Sequence, residues 1–446
     1  MTKKIKSIFL LGTLISLVGC STNERSDVLK SIIINNSVPP VTNSAVKLLK
    51  GKIDTLNTPY TSYEEYLPFY NKMKSFSSKL SDELVWDYAE EGKNFAFSPY
   101  SIELCLGLAA RCANGSTRKE ILDAMGVDYQ TLNTYYHRFF EDGEFVHKTN
   151  TGDVDSISAP ANSIWLSKQL KAKNDCLEAL SKDYYCDSYS VDFMGKTAKA
   201  NEAIEEYIYR NTRGLINPDL DLSKETLFVL LNTLYIKDVW NDYGHELGYA
   251  DGSYKFKNSN GQYSSKQLLH GHSQSGRAYY GEDYSSFRTS TNNSFSITFI
   301  KPNEGKKLKD VFNETTINET LARRYETSNE EKKERYYTSC IFPEFKAGSD
   351  FSLNHVFKKY GISSLSDFTS ITEEPTVIDE SRHMASLDVN KKGIEGAAVT
   401  YMAMPGAAAP DDWKDVYEEY VVDKEFGFIL TGGPGVLFSG VVTNID

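Results

Sequence analysis

The sequence lacks the short arrangements by which most chains of its length do chemistry. It has no GxSxG elbow, no HExxH helix and no P-loop lysine, which removes the commonest routes to hydrolysis and nucleotide binding. His270 and His272 would share a face on a strand, but an isolated HxH pair reads as a polar turn, and neither a metal nor a cofactor is expected. Basic charge is also short: 49 Lys and Arg against 61 Asp and Glu leave a net charge of −12. That balance argues against nucleic acid or an anionic membrane surface as a partner. Disulfide scaffolding is missing too. Apart from Cys20, the cysteines are Cys105, Cys112, Cys176, Cys186 and Cys340, an odd and scattered set without CxxC spacing. They read as small buried hydrophobes. No repeat of 20–50 residues appears, so a solenoid is excluded.

One stretch lacks charge altogether. From Gly396 to Pro410 no Asp, Glu, Lys or Arg occurs, although a quarter of the chain is charged and DDWKDVYEEY follows at once. An ordinary buried strand is shorter than this tract, and a flexible linker would not carry Tyr401, Met402 and Met404.

What is present begins with a leader. Lys3, Lys4 and Lys6 precede an apolar run from Ile8 to Val18, too short to span a bilayer as a permanent helix. The ending Leu17-Val18-Gly19-Cys20 resembles a bacterial lipobox. It implies that residues 1–19 are a signal peptide and that Cys20 carries lipid, anchoring the mature protein to a bacterial membrane outside the cytoplasm, on its periplasmic or exterior side. Residues 20–68, rich in Ser, Thr, Asn and Pro, read as a tether with little fixed structure.

The remainder, 40% hydrophobic and 13% aromatic over the whole chain, can bury a large core. Met73, Phe76, Leu80, Leu84 and Tyr88 recur at helical spacing. Ser98-Pro99 opens a helix that is apolar nearly all round and therefore central. LFVLLNTLYIKDVW reads as a strand inside a sheet, and EFGFILTGGPGVLFSGVVTNI as two strands joined by a tight turn. Helices dominate early and strands late, so the class is α+β with large, mainly antiparallel sheets.

Nine pieces in order resemble the serpin family from about Phe69 to Asp446. They are NFAFSPYSI, ANSIWL, YRNTRGLI, LNTLYIKDVW, IKPNEG, IFPEFK, LNHVFKKYGI, HMASLDVNKKGIEGAAVT and VLFSGVVTN. The resemblance implies one serpin-like domain over 69–446 with three β-sheets, about nine helices and an exposed C-terminal reactive loop. It places Ser98, Ser101, Asn232 and His383 at the shutter, where the central sheet parts, and Trp240 at the breach, where insertion begins. It further implies a monomer that is not an enzyme but a suicide substrate of a serine protease, or across class of a cysteine protease. A non-inhibitory binding module on the same fold is the alternative.

On that reading the uncharged tract is bait that becomes a strand. Gly393, Ile394, Glu395, Gly396, Ala397, Ala398, Val399 and Thr400 form the hinge. Along a strand Ile394, Gly396, Ala398, Thr400, Met402 and Met404 share one face, while Glu395 falls on the other. The family's register puts the scissile bond at Ala407-Ala408, suited to an elastase-like pocket, with Tyr401, Met402 and Met404 as alternative cleavage positions. Five positions depart from the family pattern: Ile394 for Thr or Ser, Lys391 for an acid, Gly396 for Ala, Glu425 for Pro and Val441 for a basic residue.

Overall fold

The structure is a computed structural model. It describes residues 29, 32, 38–53, 62–90, 92–150, 152–240, 246–293, 295–363, 365–374, 376–378, 381–395 and 412–446. Cys20 and the leader lie outside the described residues. So do Gly396, Ala397, Ala398, Val399, Thr400, Tyr401, Met402, Met404, Ala407 and Ala408.

The chain opens with β1 (Val46–Lys50), α1 (Tyr63–Tyr88), β2 (Phe95–Phe97), α2 (Pro99–Cys112), α3 (Gly115–Met125) and α4 (Tyr129–Asp142). Next come β3 (Phe145–Lys148), β4 (Val154–Ser167), α5 (Asn174–Asp183), β5 (Cys186–Val191), α6 (Phe193–Asn211) and β6 (Phe228–Val239). The middle holds β7 (Gly248–Tyr249), β8 (Leu269–Ser275), β9 (Tyr279–Tyr280), β10 (Tyr284–Ser290) and β11 (Ser296–Pro302). Then follow α7 (Leu308–Val311), α8 (Glu314–Ala322), β12 (Ser328–Asn329), β13 (Glu334–Phe342), β14 (Phe345–Ser352) and α9 (Asn354–Lys359). The last strands are β15 (Arg382–Asn390), β16 (Gly393–Ile394), β17 (Lys414–Val421), β18 (Phe426–Gly432) and β19 (Gly435–Val442).

Among the described residues the strands form two hydrogen-bonded sheets where three were expected, and the larger one divides at a single bridge. Its central sheet part runs β1-β5-β4-β6-β16-β15-β14, and a single parallel bridge, Gly348 to Phe95, joins it to a second part, β2-β19-β18-β11-β10-β9. The smaller sheet is β12-β13-β8-β7, with β17 parallel to β13. β6 is buried on both faces and reads as the near-continuous apolar run such a position needs. Its Leu230, Leu234 and Ile236 point into the main core with α2, whereas Val229 and Leu231 point into a second core under α6.

The tether departs from expectation. Val46, Lys47, Leu48 and Lys50 pair antiparallel with β5, so 46–50 is an added edge strand of the central sheet. Val41, Ala45 and Val46 are buried in the core under α6, Asn43 Nδ2 donates to the Lys199 carbonyl at 2.8 Å, and Lys196 Nζ donates to the Ser44 carbonyl at 2.7 Å. The expected boundary at 68/69 also falls inside α1, whose cap is Ser62, accepting from the Glu65 N–H. Edge pairing and three apolar anchors outweigh a composition that reads as linker.

Candidate functional site

The hinge is a two-residue strand seated between two long ones. Gly393 and Ile394 pair antiparallel with Val239 and Asp238 of β6 on one side and with Asn390 and Val389 of β15 on the other. Only glycine fits at 393: a Cβ there would lie 2.0 Å from the Asp238 carbonyl oxygen, and φ is 156°. Ile394 is wholly buried in the main core. Where the serpin pattern it resembles carries a hydroxyl, this chain seats an apolar side chain in the core.

Glu395 has φ 46°, a left-handed conformation uncommon for a non-glycine residue, and its N–H donates to the Asp388 carbonyl at 2.7 Å. Its side chain falls on the α6 face, as the strand alternation predicts. Tyr235 Oη donates to Glu395 Oε1 at 3.1 Å, while Oε2 is buried without a hydrogen-bond partner. Burial pushes the Glu395 carboxyl up to about 7, with Asp388 adding to the rise and Tyr235, Lys237 and Arg213 opposing it. The cations are desolvated as well: burial lowers both Lys237 and Arg213.

This carboxyl sets a pH dependence of known sign. With a folded value near 7 and an unfolded value near ~4.3, the folded form binds more protons between them. The contribution of seated Glu395 is thus fully present below about pH 4, is lost as pH rises through that window, and is flat above about 7. Glu395→Gln removes the slope. In urea unfolding of intact protein at pH 5 and pH 8, the variant gains on the parent at the higher pH. An unchanged difference at both pH values would show that the carboxyl stays ionised.

Below β16 the two flanking strands part company. Among the described residues β6 ladders only with β4 and β16, and β15 only with β14 and β16; neither ladders with the other. At β16 the two stand one strand apart, and among the described residues nothing ladders with either facing edge below it; this interval is the slot.

The residues expected at the shutter lie on both sides of that slot. Ser98 caps α2, its Oγ accepting from the Ser101 N–H at 3.1 Å, and its own N–H donates to His383 Nε2 at 3.0 Å. Burial holds His383 neutral, with its pKa down to about 3, so Nδ1 carries the ring proton. Phe97 and Phe351 pack against the ring, with centroids at 6.2 and 5.4 Å. On the opposite wall Asn232 Nδ2 donates to Asn162 Oδ1 at 2.8 Å, but Asn232 Oδ1 and Thr233 Oγ1 are buried without partners. Unsatisfied polar atoms of this kind cost about 1–3 kcal/mol each and mark a place where a partner is missing.

At the breach, Trp240 Nε1 donates to the Asn390 carbonyl at 2.7 Å and the indole packs edge-on to Phe342 at 5.2 Å. Lys391 faces a local acidic set: Nζ pairs with Glu246 at 2.7 Å, and its N–H donates to Glu344 Oε1 at 2.8 Å. The local partners are acidic, so reversing the family's charge at 391 leaves attraction.

Sequence reasoning missed three polar residues here. Asn162 Nδ2 donates to Tyr136 Oη at 3.0 Å and to the Tyr184 carbonyl at 2.8 Å, and Tyr136 Oη donates to the Leu104 carbonyl at 2.9 Å, which extends the shutter network into α4. Asp238, fully buried beside the hinge, accepts from Thr291 Oγ1, from the Asn293 N–H and from Asn293 Nδ2. An Asn and an Asp embedded in apolar strands were the available signal. His270 and His272 lie on β8 of the smaller sheet, His270 Nε2 being 3.9 Å from Glu419 Oε1. Among the described residues no three His, Cys, Asp or Glu cluster to hold a metal. The five cysteines are buried and free, and burial pushes the Cys105 thiol up to about 12.

Known proteins resemble this chain in sequence and fold. A family model described as Serpin (serine protease inhibitor) matches residues 71–445. Alpha-1-antiproteinase of Rattus norvegicus is 24% identical over 364 residues, covering 78% of this chain and 85% of that protein. The crystal structure of Serpin48 from the insect Tenebrio molitor superposes with a TM-score of 0.69 at 21% identity, over 87% of this chain and all of that one. Thyroxine-binding globulin in complex with thyroxine superposes with a TM-score of 0.67 at 19% identity, over 84% and 99%.

Proposed function

The chain belongs to the serpin family, and from that premise we propose that it is a suicide-substrate inhibitor of serine proteases, with elastase- or chymotrypsin-like enzymes as targets. The observation that carries the reading is the slot. Gly393 and Ile394 already ladder with both walls, and the same register continued downward gives every following loop residue a place. Gly396 falls between Ile236 and Leu387, Ala398 between Leu234 and Ala385, and Thr400 between Asn232 and His383. A hydroxyl thus arrives where Asn232 Oδ1 lacks a partner.

The chemistry starts as ordinary acyl transfer. The protease's serine Oγ attacks the Ala407 carbonyl carbon, the bond to the Ala408 nitrogen breaks, and that nitrogen leaves as an amine with the proton delivered by the enzyme's base. Before water resolves the ester, the freed segment from Glu395 to Ala407 follows Ile394 into the slot. Thirteen residues at about 3.3 Å each carry the bound enzyme by roughly 43 Å. Hydrolysis needs a triad held to about an ångström, and compression against the inhibitor's body removes that alignment. In the intact form chain continuity withholds insertion, so the protein is kinetically trapped.

Lipid on Cys20 would hold this device at the envelope, outside the cytoplasm, shielding the cell from external proteases. A second reading, a non-inhibitory binding module, draws on Ile394: a hinge fixed by a fully buried apolar side chain resists further entry. Incubation with pancreatic elastase, chymotrypsin, trypsin, subtilisin and papain, followed by denaturing gels, separates them. An SDS-stable adduct with a serine protease is expected. Simple clipping of the loop by every enzyme, with no adduct, selects the binding module, and an adduct with papain alone selects cysteine-protease inhibition.

A further inference from the structure

An apolar cavity of about 130 Å³ lies between α6 and the central sheet, lined by Ile204, Ile208, Val229, Leu231 and Met384, with the exposed Asp221 and Arg382 at its edge. Its floor is made by both walls of the slot, since Val229 and Leu231 belong to β6 and Met384 and Arg382 to β15. We propose that this cavity is the seat of the Tyr401 side chain once the loop has entered the sheet, and that filling it helps decide whether a cut molecule keeps or releases its protease. The proposal rests on the insertion reading above.

Register and face both lead there. Ile394 pairs with Asp238 and Val389, so residue 401 comes opposite Leu231 and Arg382, with Met384 diagonal to it. Paired residues share a face of a sheet. Ile394 lies in the main core, and Glu395 on the α6 side against Tyr235. In the inserted strand odd-numbered loop residues would therefore project toward α6, and residue 401 toward the cavity that Ile204 and Ile208 line.

Size selects the occupant. On this face the loop offers Ala397, Val399, Tyr401 and Ala403. Val399 comes opposite Thr233 and Met384, and Ala403 opposite Val229. Apolar cavities of about 150 Å³ accept a benzene ring, so the space suits one aromatic ring and is left largely empty by alanine. The phenol oxygen would emerge at the edge beside Asp221, where the hydroxyl can meet water or carboxylate. Tyr401 is then a positioning residue for the trapped state rather than the residue at the scissile bond.

The test compares intact and cleaved proteins. The parent, Tyr401→Ala and Tyr401→Phe are cut once with pancreatic elastase or subtilisin, whichever cleaves between 402 and 410 by fragment mass, and melted before and after. The intact proteins should melt together. Cleaved Tyr401→Ala should melt about 5 °C below the cleaved parent, while cleaved Tyr401→Phe stays with it. Combined with Met384→Ala, the Tyr401→Ala effect should be coupled in the cleaved form and additive in the intact form. Equal melting of cleaved Tyr401→Ala and cleaved parent overturns the proposal. So does that equality joined to stabilisation of the intact form by fluorobenzene, which would assign the cavity to a free apolar molecule. If the parent itself gains nothing on cleavage, insertion has failed and this proposal falls with it, a result distinguishable from the other two.

Discussion

A single cut in the 402–410 region raises the melting temperature of this protein by at least about 10 °C. The size follows from what the slot withholds in the intact chain. Below Ile394 about a dozen loop residues gain ladder hydrogen bonds on both sides, at roughly 1 kcal/mol net each, which is on the order of 10 kcal/mol. A domain of roughly 380 residues unfolds with an entropy near ~0.8 kcal/mol per degree, so that gain alone moves the transition by about 10 °C, and apolar burial adds more. Asn232 Oδ1 and Thr233 Oγ1, buried without partners, are the local places where part of the gain should appear. Differential scanning calorimetry of intact and clipped protein reads it directly. A clipped protein that melts with the intact one would mean that β6 and β15 do not admit the segment.

Replacing Thr400 by arginine converts the inhibitor into a substrate. Continued register places residue 400 between Asn232 and His383, on the core face over the N-terminus of α2. His383 is neutral there, and no carboxylate faces it on that side of the slot among the hydrogen-bonded shutter groups, which are the Ser98 N–H, Asn162 and Tyr136. An unpaired buried guanidinium costs about 3–5 kcal/mol or more, enough to slow entry roughly a hundredfold or more against hydrolysis of the ester. The SDS-stable adduct should vanish and the protease should be recovered active, with the loop cut. Ala398→Arg, two residues earlier on the same face, should behave alike. Undiminished trapping by both variants would show that even-numbered loop residues do not face the core.

Much of this was legible in the order of short motifs and in alternation. The apolar run from Phe228 to Trp240 reads as an interior strand, and the alternating pattern after Gly393 places Ile394 and Glu395 on opposite faces, as found. Ser98 and His383 were assigned to one locale, and a 3.0 Å hydrogen bond joins them. What sequence could not convey is long-range or context-made. Asn162, Tyr136 and Asp238 acquire meaning only through partners 26 and 53 positions away. The pair of Glu395 with Tyr235 spans 160 positions, and the upward shift of its carboxyl comes from packing that no local pattern encodes. The strand at 46–50 was missed because VKLLK is short and its surroundings are polar; its order is supplied by β5 and α6.

That added strand shortens the leash. Ile32 is already buried, so if the anchor is at Cys20 at most twelve residues separate it from the body, rather than the forty-eight separating Cys20 from Pro68. At ~3.5 Å per residue the limit of reach drops from about 170 Å to about 40 Å. A protein so anchored would stay in a thin layer against the bilayer and would meet proteases at the cell's own skin.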